Sequence, residues 1–141
     1  MFRHFVGLLI IASLVVGCSG SFSTPTSDSV TADQLAGTWN LVSIQSTGQA
    51  EQATPAGASY TLTFADGRLS TRADCNTCGG AFALSGQTLT AGPVLACTRA
   101  ACLTMAFENA YTSLLGGEST VTLSGDRLVL SSARGVLRFT R

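Results

Sequence analysis

Apolar residues are spaced in three different ways along this chain. From Phe5 to Val16 they form an unbroken, uncharged run of 12 positions. From Ser19 to Asp33 they almost vanish, with only Phe22 and Val30 of any size. From Leu35 onward they alternate with polar residues. LAGTWNLVSI, starting at Leu35, is a first strand entered through Gly37. Tyr60, Leu62 and Phe64 alternate with Thr61 and Thr63, the period of a half-buried strand. Asp66-Gly67 is hairpin-turn chemistry, and Arg68 to Ala73 supplies the partner strand. Short strands follow at Ala81 to Leu84 and Thr88 to Ala91, on either side of Ser85-Gly86, and a short extended piece at Pro93 to Cys97. Thr120 to Leu123, a Gly125-Asp126 turn, Leu128 to Leu130 and Val136 to Thr140 complete the series. One stretch breaks the alternation. Leu103, Phe107, Ala110, Tyr111 and Leu114 recur at helical spacing, and Gly116-Gly117 stops the helix.

The pattern therefore predicts a mainly β domain: about eight short antiparallel strands forming a small barrel or strongly curled sheet, with one helix near residues 103–115. Closure would leave no unpaired edges. The helix would plug one end or cover a gap.

The two segments before Leu35 carry a different message. Arg3 and His4 precede the apolar run, and Gly17-Cys18 ends it. That is the layout of a secretory signal peptide. Twelve apolar residues fall short of the roughly 20 a spanning helix needs. Val15-Val16-Gly17-Cys18 resembles the bacterial lipobox. The resemblance implies cleavage after residue 17, lipidation of Cys18 and acylation of the new amino end. Several acyl chains, at about 0.8 kcal/mol per buried methylene, make such an anchor stable. Ser19 rather than Asp at the second mature position implies sorting to the outer membrane, as in enteric lipoproteins. Residues 18–34, rich in Ser, Thr, Gly and Pro, form a tether unable to offset its ordering entropy by burial. Residues 35–141 form the domain.

Charge narrows the partners. Only 11% of the 141 residues are charged, and all eight basic residues are arginine, balanced by eight acids. Removing residues 1–17 leaves seven arginines and eight acids, a net charge of −1. No basic stripe is available for phosphates, so nucleic acid is excluded as a partner class.

Four cysteines remain after Cys18: Cys75, Cys78, Cys97 and Cys102, spaced C-x2-C, then 18 residues, then C-x4-C. Three readings compete: a structural zinc site, a redox-active Cys75/Cys78 pair and two structural disulfides. Export to an oxidising compartment favours disulfides. The redox reading expects a βαβ context, whereas the flanks here are strands. Neither a metal nor a cofactor is expected. Spacing alone leaves the pairing open, since four cysteines allow three connectivities. Asn76 and Gly79-Gly80 shape the same loop, where left-handed backbone is tolerated.

Several segments in order resemble the META/HslJ domain family. They are Gly37-Thr38-Trp39 with Leu41; Cys75-Asn76 followed by Gly80 and Phe82; Thr98-Arg99-Ala100-Ala101-Cys102 before the helix; and Leu137, Phe139 and Arg141 at the end. The family's usual segments read GTWxL, GCNxxxGxY and STRMAC. Asp74 departs from the family's Gly, Ala100 from its Met, and Cys78 and Cys97 from its more usual Tyr and Ser. The resemblance covers residues 35–141 and implies a small calycin-like barrel with one helix. It also implies that the family-type Cys75 and Cys102 pair, leaving Cys78 for Cys97. Calycin-like domains often stack a basic side chain of the last strand on the first-strand tryptophan, which places Arg141 near Trp39. Gly37, Trp39, Asn76, Gly80 and Arg141 form the structural signature.

No histidine remains after residue 17, so Ser-His-Asp and Cys-His arrangements are missing and common metal sites lose their main ligand. The expectation is a non-enzyme: a monomeric, lipid-anchored envelope module, structural or protein-binding, serving envelope maintenance or the stress response. Alternatives are an inhibitor of a secreted hydrolase, such as a protease or lysozyme, and, more weakly, a lipocalin-like carrier. Arg99, in a loop flanked by Cys97 and Cys102, is the candidate partner contact.

Overall fold

A computed structural model describes residues 29–141. The expected signal peptide, Cys18 and most of the expected tether lie outside the described residues. The domain starts earlier than the strand pattern suggests. Thr31 caps a short helix, α1 (Ala32–Leu35), through a capping box with Gln34, and the Val30 amide donates to Gly86 O at 3.1 Å. The last positions assigned to the tether are thus held to the barrel.

Alternation then writes the strands: β1 (Gly37–Ser46), β2 (Gln52–Ala53), β3 (Tyr60–Ala65), β4 (Arg68–Ala73), β5 (Asn76–Ser85), β6 (Thr88–Ala91), β7 (Ala96–Cys97), β8 (Gly117–Ser124), β9 (Arg127–Ser132) and β10 (Gly135–Thr140). Their order is β10-β9-β8-β6-β5-β4-β3-β1, and β1 also pairs with β10. Eight antiparallel strands therefore close into a barrel, with β2 paired to β1 and β7 to β5. Asp66 and Gly67, at φ 51° and 71°, make the β3–β4 hairpin.

Closure depends on the first and last strands. At the seam Leu41 faces Phe139 and Ser43 faces Arg138, so Val42 is an extra residue and stands exposed. This bulge bends β1 from its pairing with β3 toward β2. Gly135 opens β10 at φ 148°, and a Cβ there would collide with the backbone at Gln45, so only glycine lets the two strands meet.

The barrel interior is filled. Trp39, Phe64, Tyr111 and Phe139 are its largest fully buried side chains, packed with leucines from β3, β4, β6, β9 and β10. A barrel of eight strands has room for little more than its own side chains. The α2 helix (Met105–Leu115) lies against β1, β4 and β10, with Phe107, Tyr111, Leu114 and Leu115 turned inward. Each such burial contributes about 1.5–3 kcal/mol.

Several elements differ from the pattern reading. The helix begins at Met105, and Leu103, whose spacing fits the stripe, is fully exposed before it. β5 runs ten residues from Asn76 rather than starting at Ala81, because Gly79 and Gly80 stay extended in the ladder with β4. Of the extended piece expected at Pro93 to Cys97, only Ala96–Cys97 pairs.

Candidate functional site

The four cysteines meet at one end of β5. Cys75 is bonded to Cys102 and Cys78 to Cys97, with Cα–Cα separations of 5.9 and 4.0 Å. Cys78 and Cys97 face each other across the β5–β7 ladder. Cys75 immediately precedes β5, and Cys102 lies just before α2. Both bridges therefore tie the segment from Gly92 to Thr104 to the same strand. Gly80 helps it lie close, since a Cβ there would stand 3.0 Å from Leu95 Cδ2.

Asn76 organises the inside of this segment. It is 1% exposed. Its Oδ1 accepts from the Ala100 amide at 2.8 Å and from Thr98 Oγ1 at 2.9 Å. Its Nδ2 donates to Ala100 O at 2.9 Å and to both carboxylate oxygens of Glu108, at 2.9 and 3.0 Å. Thr98 Oγ1 in turn accepts from the Thr77 amide at 3.0 Å. One side chain thus fixes the braced segment to β5 and to α2. Glu108 is 6% exposed and takes no cation, since the one ion pair among the described residues joins Arg138 to Glu51.

A second network supports the helix start. Asp74 adopts a left-handed backbone, φ 57°, which explains why the family prefers Gly at this position. Its Oδ2 accepts from Thr104 Oγ1 at 2.7 Å, and Thr104 Oγ1 is 2.9 Å from Tyr60 Oη. Deeper in, Tyr111 Oη and Thr71 Oγ1 are 2.6 Å apart. Burial pushes the phenols of Tyr60 and Tyr111 up from their ordinary range.

Between the braced segment and α2 lies an open cleft of about 400 Å³. Asn76, Thr98, Arg99, Glu108, Asn109 and Thr112 contribute its polar lining. Arg99 is exposed and has no hydrogen-bond or ion-pair partner among the described residues. Outside the cleft the segment projects Leu103, fully exposed, and Val94, 76% exposed.

At the opposite side of the molecule the signature residues of β1 and β10 meet. Trp39 Nε1 donates to Leu35 O at 2.8 Å, and the Arg141 guanidinium carbon lies 4.3 Å from the indole centroid. Arg141 also donates to Ala36 O at 3.4 Å. Gly37, at φ 103°, turns the chain from α1 into β1. The signature thus splits in two: Gly37, Trp39 and Arg141 plug the chain's ends together, whereas Asn76, Gly80 and the cysteines build the braced segment. Sequence reasoning missed Glu108, Thr98, Thr104 and Asp74 as network members. Their polar side chains carry no spacing signal, and their partners are 22 to 44 positions away.

These features define a class: a filled, closed antiparallel barrel with one long helix and a disulfide-braced segment on its side. Residues 32–141 match the META domain, and the chain belongs to that family. Among solved structures, it is similar to an NMR structure of a protein from Burkholderia xenovorans, at 26% identity and a TM-score of 0.64, covering 84% of this chain and 96% of that one. A second NMR structure matches at 25% identity and a TM-score of 0.62, covering 79% and 94% of the respective chains. A crystal structure of a lipocalin-like protein from Bacteroides uniformis shares the fold at 19% identity and a TM-score of 0.53, over 77% of this chain and 98% of the other. No curated protein matches the chain.

Proposed function

We propose that this chain is a non-catalytic, lipid-anchored module of the bacterial cell envelope that binds a partner protein through its disulfide-braced segment. The observation that carries the reading is the exposure of Leu103, Val94 and Arg99 on a segment tied down by two disulfides. Large apolar side chains on a pre-ordered loop bind at a low entropic cost. An apolar hollow of about 450 Å³, which Pro93 shares with Phe82, Ala83 and Gly92, extends the same surface. The lipobox-like end at Cys18 supports the anchor, its outer-membrane sorting and an envelope-maintenance or stress role. The lack of histidine after residue 17 supports a non-catalytic role.

The test is capture from native envelopes by the full anchored chain, compared with Leu103→Ser and Arg99→Ala variants of unchanged thermal stability. A specific partner retained by the parent and lost from both variants is expected. Equal retention by all three would sink the reading. The same braced loop also favours the hydrolase-inhibitor alternative, because a rigid exposed loop suits an enzyme cleft. Dose-dependent inhibition of a purified secreted protease or lysozyme, lost in Arg99→Ala, would select it. The carrier alternative has less support, since the lumen is occupied by Trp39, Tyr111 and the leucine layers.

A further inference from the structure

We infer that the cleft between the braced segment and α2 is a binding site for a small zwitterion, an amino-acid-like group whose cation meets Glu108 and whose carboxylate meets Arg99. The argument begins with Glu108. A carboxylate offers about four acceptor positions. Here its one protein hydrogen-bond donor is Asn76 Nδ2, and that amide group is already shared with Ala100 O. Two hydrogens therefore serve three oxygen acceptors, and Cys102 Sγ also lies 3.3 Å from the same nitrogen. Cys102 Sγ lies 3.3 Å from Glu108 Oε2, but as a disulfide sulfur it has no hydrogen to give. A carboxylate 94% withdrawn from solvent ordinarily has a cation or several donors beside it. Glu108 has neither among the described residues, yet it lines a cleft open to the outside.

Arg99 supplies the opposite charge in the same cleft. Its guanidinium is unpaired, and the Asn76 bond to the neighbouring Ala100 amide holds its backbone in place. A buried acid, Glu108, and an exposed base, Arg99, line one cleft together with Asn109 and Thr112, which matches a ligand bearing both signs. A volume of about 400 Å³ falls within the range of small-molecule sites and suits one or two amino-acid units. Leu103 and Val94 do not line the cleft, so although Arg99 belongs to both, Leu103→Ser tells this site from the proposed partner surface.

The experiment is an NMR titration of the full mature chain in micelles with four probes: β-alanine and Nα-acetyl-lysine as short and long zwitterions, Nα-acetyl-lysine amide as a cation alone, and Nα-acetyl-norleucine as an anion alone. Saturating shifts at Asn76, Arg99 and Glu108 are expected with one of the zwitterions, and affinities about ten-fold weaker with each single-charge probe. Glu108→Gln is expected to lower zwitterion affinity about ten-fold, as is Arg99→Ala, an exposed change that leaves folding intact. Leu103→Ser is expected to leave it unchanged. Equal binding of the cation alone, undiminished by Arg99→Ala, would overturn the zwitterion assignment. So would shifts with no probe at all, or shifts confined to residues outside the cleft.

Discussion

Replacing Asn76 by alanine removes the one side chain that joins β5, the braced segment and α2. The loss can be sized bond by bond. Three neutral contacts disappear, to the Ala100 amide, Ala100 O and Thr98 Oγ1, together with the donation to the Glu108 carboxylate. At about 1 kcal/mol for each neutral bond and 1.5–3 for the charged one, the ceiling is roughly 6 kcal/mol. Ala100 and Thr98 are exposed and recover bonds with water, so a net loss of about 3 kcal/mol is expected. That is a large share of the 5–15 kcal/mol available to a domain. Urea unfolding of the oxidised variant, followed by emission of the single Trp39, measures it. Asn76→Asp sharpens the test, because it sets a second carboxylate beside Glu108. The introduced group's folded pKa is raised by that neighbour, so the penalty grows as pH rises above about 4 and fades as pH falls below it. A loss under about 1 kcal/mol for Asn76→Ala, or an Asn76→Asp protein as stable as the parent at pH 7, would refute the reasoning.

Other contacts in the fold give further expected outcomes. A Cys75→Ala/Cys102→Ala protein should lose about 2.5 kcal/mol, because the remaining Cys78–Cys97 bridge already shortens the loop that Cys75–Cys102 closes, seen as a lower urea midpoint. Removing Cys78–Cys97 as well should cost about a further 3 kcal/mol, the loop-closure entropy for a separation of 19. Arg141→Ala should cost about 0.5–1 kcal/mol and alter the emission of Trp39, the indole it covers. Alkali should unfold the domain cooperatively. Burial raises the folded pKa of both tyrosines, Tyr60 and Tyr111, so stability is intact below about 10 and falls as pH rises beyond it. Tyrosinate absorbance should therefore appear together with unfolding and not before it.

The strands were legible because burial on a half-exposed sheet imposes a period of two, and β3, β4, β9 and β10 lie where alternation puts them. The helix was legible for its inward stripe, but its start was not. Leu103 keeps the helical spacing by coincidence, and Thr104, bonded to Asp74 and Tyr60, fixes the boundary instead. The first half of β5 escaped notice because cysteine, asparagine and paired glycines suggest a loop. In the barrel they are extended so that β5 can pair with β4 and β7. The resemblance to the META/HslJ family located Asn76 and the cysteines. The role of Glu108 became visible only when folding placed a carboxylate 32 positions along the chain against the Asn76 amide. Long-range polar contacts of this kind leave no periodic trace.

Whether this chain is an exported, lipid-anchored and doubly disulfide-bonded protein is tested most directly by intact-mass spectrometry of the protein from its native envelope, with and without reduction and alkylation. A chain beginning at triacylated Cys18, four hydrogens lighter than its fully reduced form, is expected. An unlipidated mass with four alkylatable thiols before reduction would contradict the anchor and the braced segment together.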